Sequence, residues 1–218
     1  LKLTPIPLAK QLLVLGYDSF DGALRDATQL VLQNPDAIET IDDTILTMAQ
    51  DDVIWHQVKD YIAFPDAEPI AAINLVEFGG MDAGLLAQKI DAVCAQLTQL
   101  GMRYSRVSDP KGMASLWELR KKGVGLLGNL PGKRRPIAFV EDTAVPPENL
   151  ADYIVEFRQL LDGMGVSYGM FGHVDAGCLH VRPALNMRDP EDALKLKLIS
   201  DAVQALVQKY EGVMWGEH

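Results

Sequence analysis

Residues 70–107 read IAAINLVEFGGMDAGLLAQKIDAVCAQLTQLGMRYSRV, and the pattern of this stretch decides the fold class. Its first part, 70–78, is an apolar run of strand length, and Asp82 is a typical helix N-cap. An apolar stripe at helical spacing follows, made of Leu86, Ile90, Val93, Leu97 and Leu100. Gly101 ends this helix, and 103–107 alternates as a second strand. The stretch therefore predicts a strand–helix–strand unit.

The rest of the chain repeats this order. Strands are predicted at 10–17, 137–141, 166–171 and 179–182, and helices at 21–33, 113–122, 150–161 and 190–210. Between 36 and 69 the pattern is mixed: Ile38 and Ile41 indicate a short strand, Asp42 is positioned to cap a helix, and 55–62 fits either a strand or a helix.

Two strand–helix–strand units, at 70–107 and 137–171, favour an α+β fold with a largely antiparallel sheet and helices packed on one face. A doubly wound parallel sheet is the alternative. We interpret residues 1–218 as one domain of a longer protein, since the chain starts at Leu1 without a methionine. Within it, residues 1–69 form a subregion whose pattern is less clear.

The composition excludes several function classes. With 218 residues, of which 48% are hydrophobic and 23% charged, the chain resembles an ordinary globular domain. Thirty acidic and twenty basic residues give a net charge of -10, so a nucleic-acid backbone is repelled. No segment reaches the roughly 18 apolar residues of a membrane span. Cys94 and Cys178 form neither a disulfide framework nor a thiolate cluster, which predicts a cytoplasmic protein.

Residues 123–128 read GVGLLG and match the dinucleotide-binding pattern G-x-G-x-x-G. In that fingerprint a strand delivers the glycines to a helix N-terminus, where free N–H groups bind the pyrophosphate. Here a predicted helix comes before the glycines, and Pro131 comes soon after them. We therefore assign no dinucleotide site and interpret 123–128 as the end of a helix.

Three of the four histidines, His173, His180 and His218, fall in the last part of the chain, whereas His56 is isolated and is predicted to be structural or on the surface. Residues 172–180 read GHVDAGCLH. In a straight strand the odd spacing of His173 and His180 would place them on opposite faces.

Gly172 and Gly177 permit a sharp turn that brings the two imidazoles together. Two imidazoles and a carboxylate suit a divalent transition metal. Glu217 is our candidate for the third ligand, and Asp175 is an alternative. The alternative to a metal site is a pair of core histidines hydrogen-bonded to the backbone.

A local excess of basic residues suggests an anion site. Arg120, Lys121, Lys122, Lys133, Arg134 and Arg135 supply six of the twenty cations. Guanidinium groups bind carboxylates bidentately, so Arg120 together with Arg134 or Arg135 is suited to an organic acid. A solvated helix end is the alternative. Arg182 shares a strand face with His180 and adds a cation beside the predicted metal site.

Residues 172–180, together with 116–120 (LWELR), 141–146 (EDTAVP) and 216–218 (GEH), resemble the FAD-linked oxidase C-terminal domain. This is the substrate or cap domain, ferredoxin-like in fold, of the vanillyl-alcohol-oxidase-like flavoproteins, which include D-lactate dehydrogenase, the glycolate oxidase large subunit and D-2-hydroxyglutarate dehydrogenase. The resemblance is specific over 112–218, one of pattern over 70–111, and weak over 1–69.

The resemblance implies roles for five residues. His173, His180 and Glu217 match metal ligands, described as zinc or manganese. Arg120 matches an arginine that binds the substrate carboxylate. His218 matches a histidine that contacts the substrate and takes the hydroxyl proton as general base.

The family also implies partners and cofactors. A small 2-hydroxy acid is the substrate, and FAD is held mainly by a domain of the same full-length chain. Residues 132–147 look most like the long bacterial members, which also carry an iron–sulfur module. The resemblance thus implies an FAD-linked 2-hydroxy-acid oxidoreductase of the D-2-hydroxyglutarate or D-lactate type.

Departures from the family leave the substrate open. The family string G-H-x-G-D-G-N-x-H is altered at Asp175, Ala176 and Cys178. Arg182 stands where hydroxyglutarate enzymes have an asparagine, Val124 replaces a threonine and Val140 replaces a lysine. Arg182 or residues 133–135 are candidates to replace that lysine. Two further functions remain as alternatives: a stand-alone metal-dependent hydrolase and a non-catalytic module that binds an organic anion.

Overall fold

The computed structural model describes residues 5–64, 69–129 and 132–216. The strands are β1 (Ala9–Tyr17), β2 (Ala37–Asp42), β3 (Ala72–Gly80), β4 (Arg103–Val107), β5 (Arg135–Pro136), β6 (Tyr168–His173) and β7 (His180–Leu185). The helices are α1 (Phe20–Val31), α2 (Asp43–Ala49), α3 (Trp55–Ile62), α4 (Ala83–Gln99), α5 (Pro110–Leu127), α6 (Leu150–Gly163) and α7 (Pro190–Lys209).

The strands form one sheet in the order β4-β1-β3-β2-β6-β7-β5. Every neighbouring pair is antiparallel. The first four strands with α1 and α4 have the ferredoxin-like arrangement, into which α2 and α3 are inserted between β2 and β3. The α+β class and the antiparallel sheet are confirmed, and the parallel alternative is wrong.

Helices cover both faces of this sheet, so the predicted packing on one face is wrong. One core cluster contains side chains of α1, α4, α6 and α7, and the other contains side chains of α2, α3 and α5. Leu12 and Val14 of β1 point into the second cluster, whereas Leu13 and Leu15 point into the first. A strand that is apolar at every position must be covered on both sides.

The predicted strand at 137–141 is also wrong. In this part of the chain the pairing with β7 is limited to β5, residues 135–136. The backbone N–H of Ile137 donates to the carbonyl oxygen of Pro183 at 3.0 Å, and the chain then bends away. Val140 is buried in the core there. The apolar character of this stretch therefore reflects burial at a bend and not a strand.

The long helix α5 carries the basic segment toward the sheet. Asp109 caps it by accepting the N–H of Gly112, and the helix continues through Leu127. Residues 123–128 thus form the C-terminal end of α5 and its cap. The glycines end a helix and do not begin one, as the sequence interpretation expected. An added Cβ at Gly123 would lie 3.4 Å from Ile45 and 3.5 Å from Phe171, so α5 packs closely over α2 and β6.

The remaining local predictions agree with the structure. Asp42 and Asp82 cap α2 and α4, and 55–62 is helical. Strands β1 and β2 lie within the same sheet as the later strands, so the subregion 1–69 contributes directly to it. Among the described residues, no helix is both long and apolar enough to cross a membrane.

Candidate active site

The turn between β6 and β7 brings the two histidines of the 172–180 segment together. Strand β6 ends at His173, a single 3-10 turn covers 174–176, and β7 begins at His180. Gly177 has φ of 70°, and a Cβ there would overlap the carbonyl oxygen of Val145. The imidazole centroids are 5.4 Å apart, with ring planes at 84°. The predicted convergence of the two rings is confirmed.

The hydrogen bonds of the imidazoles define their tautomers. Nδ1 of His180 lies 3.2 Å from the backbone oxygen of Glu141, and Nδ1 of His173 contacts Oε1 of Glu39. A carbonyl or carboxylate oxygen only accepts, so Nδ1 carries a hydrogen in each ring, and in the neutral form of each ring the lone pair is on Nε2. Histidines that bind metals have this arrangement, in which the second nitrogen donates to a carboxylate or carbonyl. The two side chains therefore fit a metal through Nε2.

Glu39 is a site residue that the sequence interpretation missed. It lies on β2 directly opposite His173, is 5% exposed, and its Oε2 accepts from Nε of Arg120 at 2.6 Å. Burial alone would raise the pKa of this carboxyl, but bonds from His173 and Arg120 hold it below its ordinary value. The available signal was an acidic residue between Ile38 and Ile41 within a short apolar strand.

Arg120 lies close to the histidine pair, because it shares Glu39 with His173 and Phe171 with His180. Its guanidinium stacks 4.5 Å from the centroid of the Phe171 ring, and that ring lies 5.4 Å from the ring of His180. The guanidinium is thus held by a carboxylate on one side and an aromatic face on the other. Its position on α5 places a fixed positive charge next to both histidines.

Arg182 occupies the same face of β7 as His180, two residues further along. Its guanidinium is paired with the carboxylate of Glu141, whose backbone oxygen accepts from His180. Glu141 therefore contacts both a predicted metal ligand and a predicted substrate-binding cation.

The basic loop has a different role from the one expected. Arg134 binds the buried carboxylate of Asp192 through Nε at 2.8 Å and Nη2 at 2.7 Å, and it also donates to the backbone oxygen of Gly165. Arg135 donates to the backbone oxygens of Gly132 and Arg134. The bidentate pair attaches the loop to the start of α7, so the structure does not bring Arg134 to Arg120.

Asp175 and His56 were the remaining candidates. Asp175 lies in the turn after His173 and accepts the backbone N–H of Ile38, and burial raises the pKa of its carboxyl. It therefore stays close to β2, and it is not grouped with His173 and His180 as a third metal ligand, so this alternative is wrong. His56 is exposed on α3, in agreement with the prediction of a surface residue.

The predicted ligand Glu217 and the predicted base His218 lie outside the described residues. The last described residue, Gly216, donates its backbone N–H to Asp142 at 2.6 Å, next to Glu141. Within 5–64, 69–129 and 132–216, no three His, Cys, Asp or Glu side chains are grouped to hold a metal. The described part of the chain thus brings two histidine side chains together, and the predicted metal site stays a prediction.

The class of fold that carries this histidine pair is an antiparallel sheet covered by helices on both faces. Residues 6–218 match the family model of FAD linked oxidases, C-terminal domain, and the chain belongs to this family.

Curated relatives agree with this assignment. The chain is 50% identical to D-2-hydroxyglutarate dehydrogenase of Pantoea ananatis and 47% identical to that of Escherichia coli, with 100% of the chain and 22% of each relative covered. It is 21% identical to the glycolate oxidase subunit GlcD of Bacillus subtilis, of which it covers 44%. The chain therefore spans about a fifth of the length of the D-2-hydroxyglutarate dehydrogenases that it matches.

Solved structures share the fold. Alkyldihydroxyacetonephosphate synthase superposes with a TM-score of 0.66 at 15% identity, over 96% of this chain and 41% of that chain. The 4-ethylphenol oxidase of Gulosibacter chungangensis superposes with a TM-score of 0.63 at 12% identity, over 97% of this chain and 46% of that chain. At such low identity the likeness concerns the fold alone.

Proposed function

We propose that this chain is the substrate-binding domain of an FAD-dependent 2-hydroxy-acid dehydrogenase whose substrate is D-2-hydroxyglutarate, with D-lactate as the alternative. The observation that carries the proposal is the meeting of His173, His180 and Arg120 on one face of the sheet. Family membership favours this function over a stand-alone hydrolase or a non-catalytic anion-binding module. The names of the relatives at 46–50% identity favour D-2-hydroxyglutarate.

In this proposal His173, His180 and Glu217 hold a zinc or manganese ion. A divalent ion bound there supplies a positive charge that polarises the 2-hydroxyl group of the substrate and lowers its pKa. His218 takes the hydroxyl proton as general base. FAD, held mainly outside this chain, supplies the hydride acceptor.

The position of Gly216 supports the assignment of the last two residues. Its bond to Asp142 places the end of the described chain one residue from Glu141, which contacts His180. The described chain therefore ends beside a residue that contacts one of the two histidines in the proposed metal site.

Two arginines suit a dicarboxylate. Arg120 binds the carboxylate beside the hydroxyl, and Arg182 binds the distal carboxylate in place of the lysine that the resemblance leads us to expect at Val140. Both guanidiniums are already paired, with Glu39 and Glu141, so the substrate shares them with internal carboxylates. We further propose, from the resemblance, an iron–sulfur module elsewhere in the full-length protein, and from the cysteine content a cytoplasmic location.

Metal analysis of the full-length enzyme tests the mechanism. We expect one zinc or manganese ion per chain after dialysis, and loss of D-2-hydroxyglutarate oxidation with a chelator, restored by adding the metal. Reduction of the bound flavin by substrate gives the readout. Full activity in protein without a stoichiometric divalent ion would rule the mechanism out.

A further inference from the structure

We propose that Glu39 is a positioning residue that orients His173 and Arg120 together, and so couples the proposed metal site to the proposed carboxylate site. This inference rests on the proposed function. It concerns a residue on β2, far in sequence from every motif that identifies the family.

Each carboxylate oxygen of Glu39 has its own partner. Oε1 contacts Nδ1 of His173, its cross-strand neighbour, and Oε2 accepts from Nε of Arg120 at 2.6 Å. The side chain of Glu39 is 7% exposed and that of Arg120 is 13% exposed. Water is therefore a poor substitute for the bond between these two side chains, whereas the side chain of His173 is 33% exposed.

The two bonds use one nitrogen of His173 and one nitrogen of Arg120, and they leave the other nitrogens of these side chains for a metal and a substrate. The bond to Nδ1 keeps the lone pair of His173 on Nε2, which is the nitrogen suited to a metal. The bond to Nε of Arg120 leaves its two terminal nitrogens as a donor fork for a substrate carboxylate. One carboxylate therefore sets a tautomer and a guanidinium orientation at the same time.

The negative charge also has a role. A substrate anion is attracted by Arg120, and a metal cation is attracted by the ionised Glu39 behind His173. A histidine that donates to a carboxylate is also a more basic metal ligand.

Glu39→Gln in the full-length protein tests this role. A glutamine has one acceptor oxygen, so it satisfies His173 or Arg120 but not both. We expect the Zn²⁺ dissociation constant, measured by competition with a chromogenic chelator, to rise about 10–100-fold, the range typical for loss of such a supporting contact. We also expect KM for D-2-hydroxyglutarate to rise about tenfold. Glu39→Asp, which keeps both acceptor oxygens, should retain more Zn²⁺ affinity than Glu39→Gln.

Glu77→Gln is the matched control. Glu77 is a buried carboxylate on β3 that accepts from Nε1 of Trp117, one helical turn before Arg120, and from Lys10. It attaches α5 to the sheet as Glu39 does, but it has no bond to a histidine. We expect this variant to keep the Zn²⁺ affinity of the wild type.

The outcomes separate the two proposals. Equal Zn²⁺ affinity in Glu39→Gln and the wild type, or an equal loss in Glu39→Gln and Glu77→Gln, would overturn the role of Glu39 while the proposed function stands. A wild-type enzyme that binds no Zn²⁺ or Mn²⁺ and oxidises no 2-hydroxy acid would overturn the proposed function, and the inference with it.

Discussion

Three arginines of this domain are each held in place by one carboxylate. Glu39 holds Arg120, Glu141 holds Arg182, and Asp192 holds Arg134. Each pair fixes a guanidinium that would otherwise sample many rotamers, so its orientation exists before any ligand binds. Only the first two pairs lie beside the histidines, because Asp192 belongs to the start of α7.

Arg182→Ala in the full-length enzyme should discriminate between substrates. A charge-assisted hydrogen bond contributes about 1.5–3 kcal/mol, so loss of one to the distal carboxylate should raise KM for D-2-hydroxyglutarate by roughly tenfold or more. D-Lactate has no distal carboxylate, and its KM should change much less. Steady-state kinetics with both substrates measure this, with Arg188→Ala, at an exposed position, as control. Equal effects on both substrates would contradict the role.

At the scale of secondary structure elements, Asp42 links α2 to the strand that carries His173. Its Oδ1 accepts the N–H of Ile45 at 3.0 Å as the cap of α2, and its Oδ2 accepts the N–H of Met170 of β6 at 2.7 Å. The residue is fully buried, and this burial raises the pKa of its carboxyl to about 7. One side chain therefore ties a helix end to the site-bearing strand.

Asp42 should make stability depend on pH. Because its pKa is higher in the folded than in the unfolded state, its contribution is complete below about pH 4 and is lost as the pH rises through about 7. Relative to Asp42→Asn, the free energy of unfolding of the wild type should fall by as much as about 4 kcal/mol between pH 4 and pH 8. Urea unfolding followed by tryptophan fluorescence measures both proteins.

The comparison with Asp42→Asn cancels the contribution of the other carboxyls. A difference between the two proteins that stays constant with pH, or that grows in favour of the wild type, would show that the two backbone N–H bonds outweigh burial.

At the scale of the whole molecule, the site joins parts of the chain that are remote in sequence. Arg120 and Glu39, which bond at 2.6 Å, are 81 residues apart. The site is built from β2, α5, β6 and β7. Together these elements contribute side chains to both core clusters. A ligand that engages the histidines should therefore stabilise the folded domain as a unit.

Metal binding should raise the unfolding temperature of the 218-residue chain. At a free Zn²⁺ concentration 100 times the dissociation constant, binding contributes about 2.7 kcal/mol, which corresponds to roughly 5–10 °C for a domain of this size. Differential scanning fluorimetry with and without Zn²⁺ measures the shift. His180→Ala should abolish it, whereas His56→Ala, on the exposed side of α3, should leave it intact. An equal shift in His180→Ala would place the ion elsewhere.

Much of the fold was predictable because its signals are local. The strand–helix–strand order of 70–107 follows from periodic burial and from the Asp82 cap, which depend on residues a few positions apart. The turn between the histidines was predictable for the same reason, since Gly177 adopts a backbone conformation that other residues resist. The family motif at 172–180 lies on this locally defined turn.

Other features depend on which elements become neighbours. The run at 137–141 looks like a strand, but it bends because Val140 is buried in the core after the short pairing with β7. Helices cover both faces of the sheet, although each helix by itself shows only that one of its sides is apolar. The periodicity of apolar residues indicates that a side chain is buried, but it does not indicate which element the side chain packs against.

The amino-acid order alone was enough for the class of fold, for most element boundaries and for the meeting of His173 with His180, because backbone geometry and short-range patterning govern all three. The pairing of Glu39 with His173 and Arg120 emerges only when β2 lies beside β6 and α5 crosses above them. That adjacency results from cooperative packing of the entire core, in which long-range contacts stabilise one arrangement over its competitors.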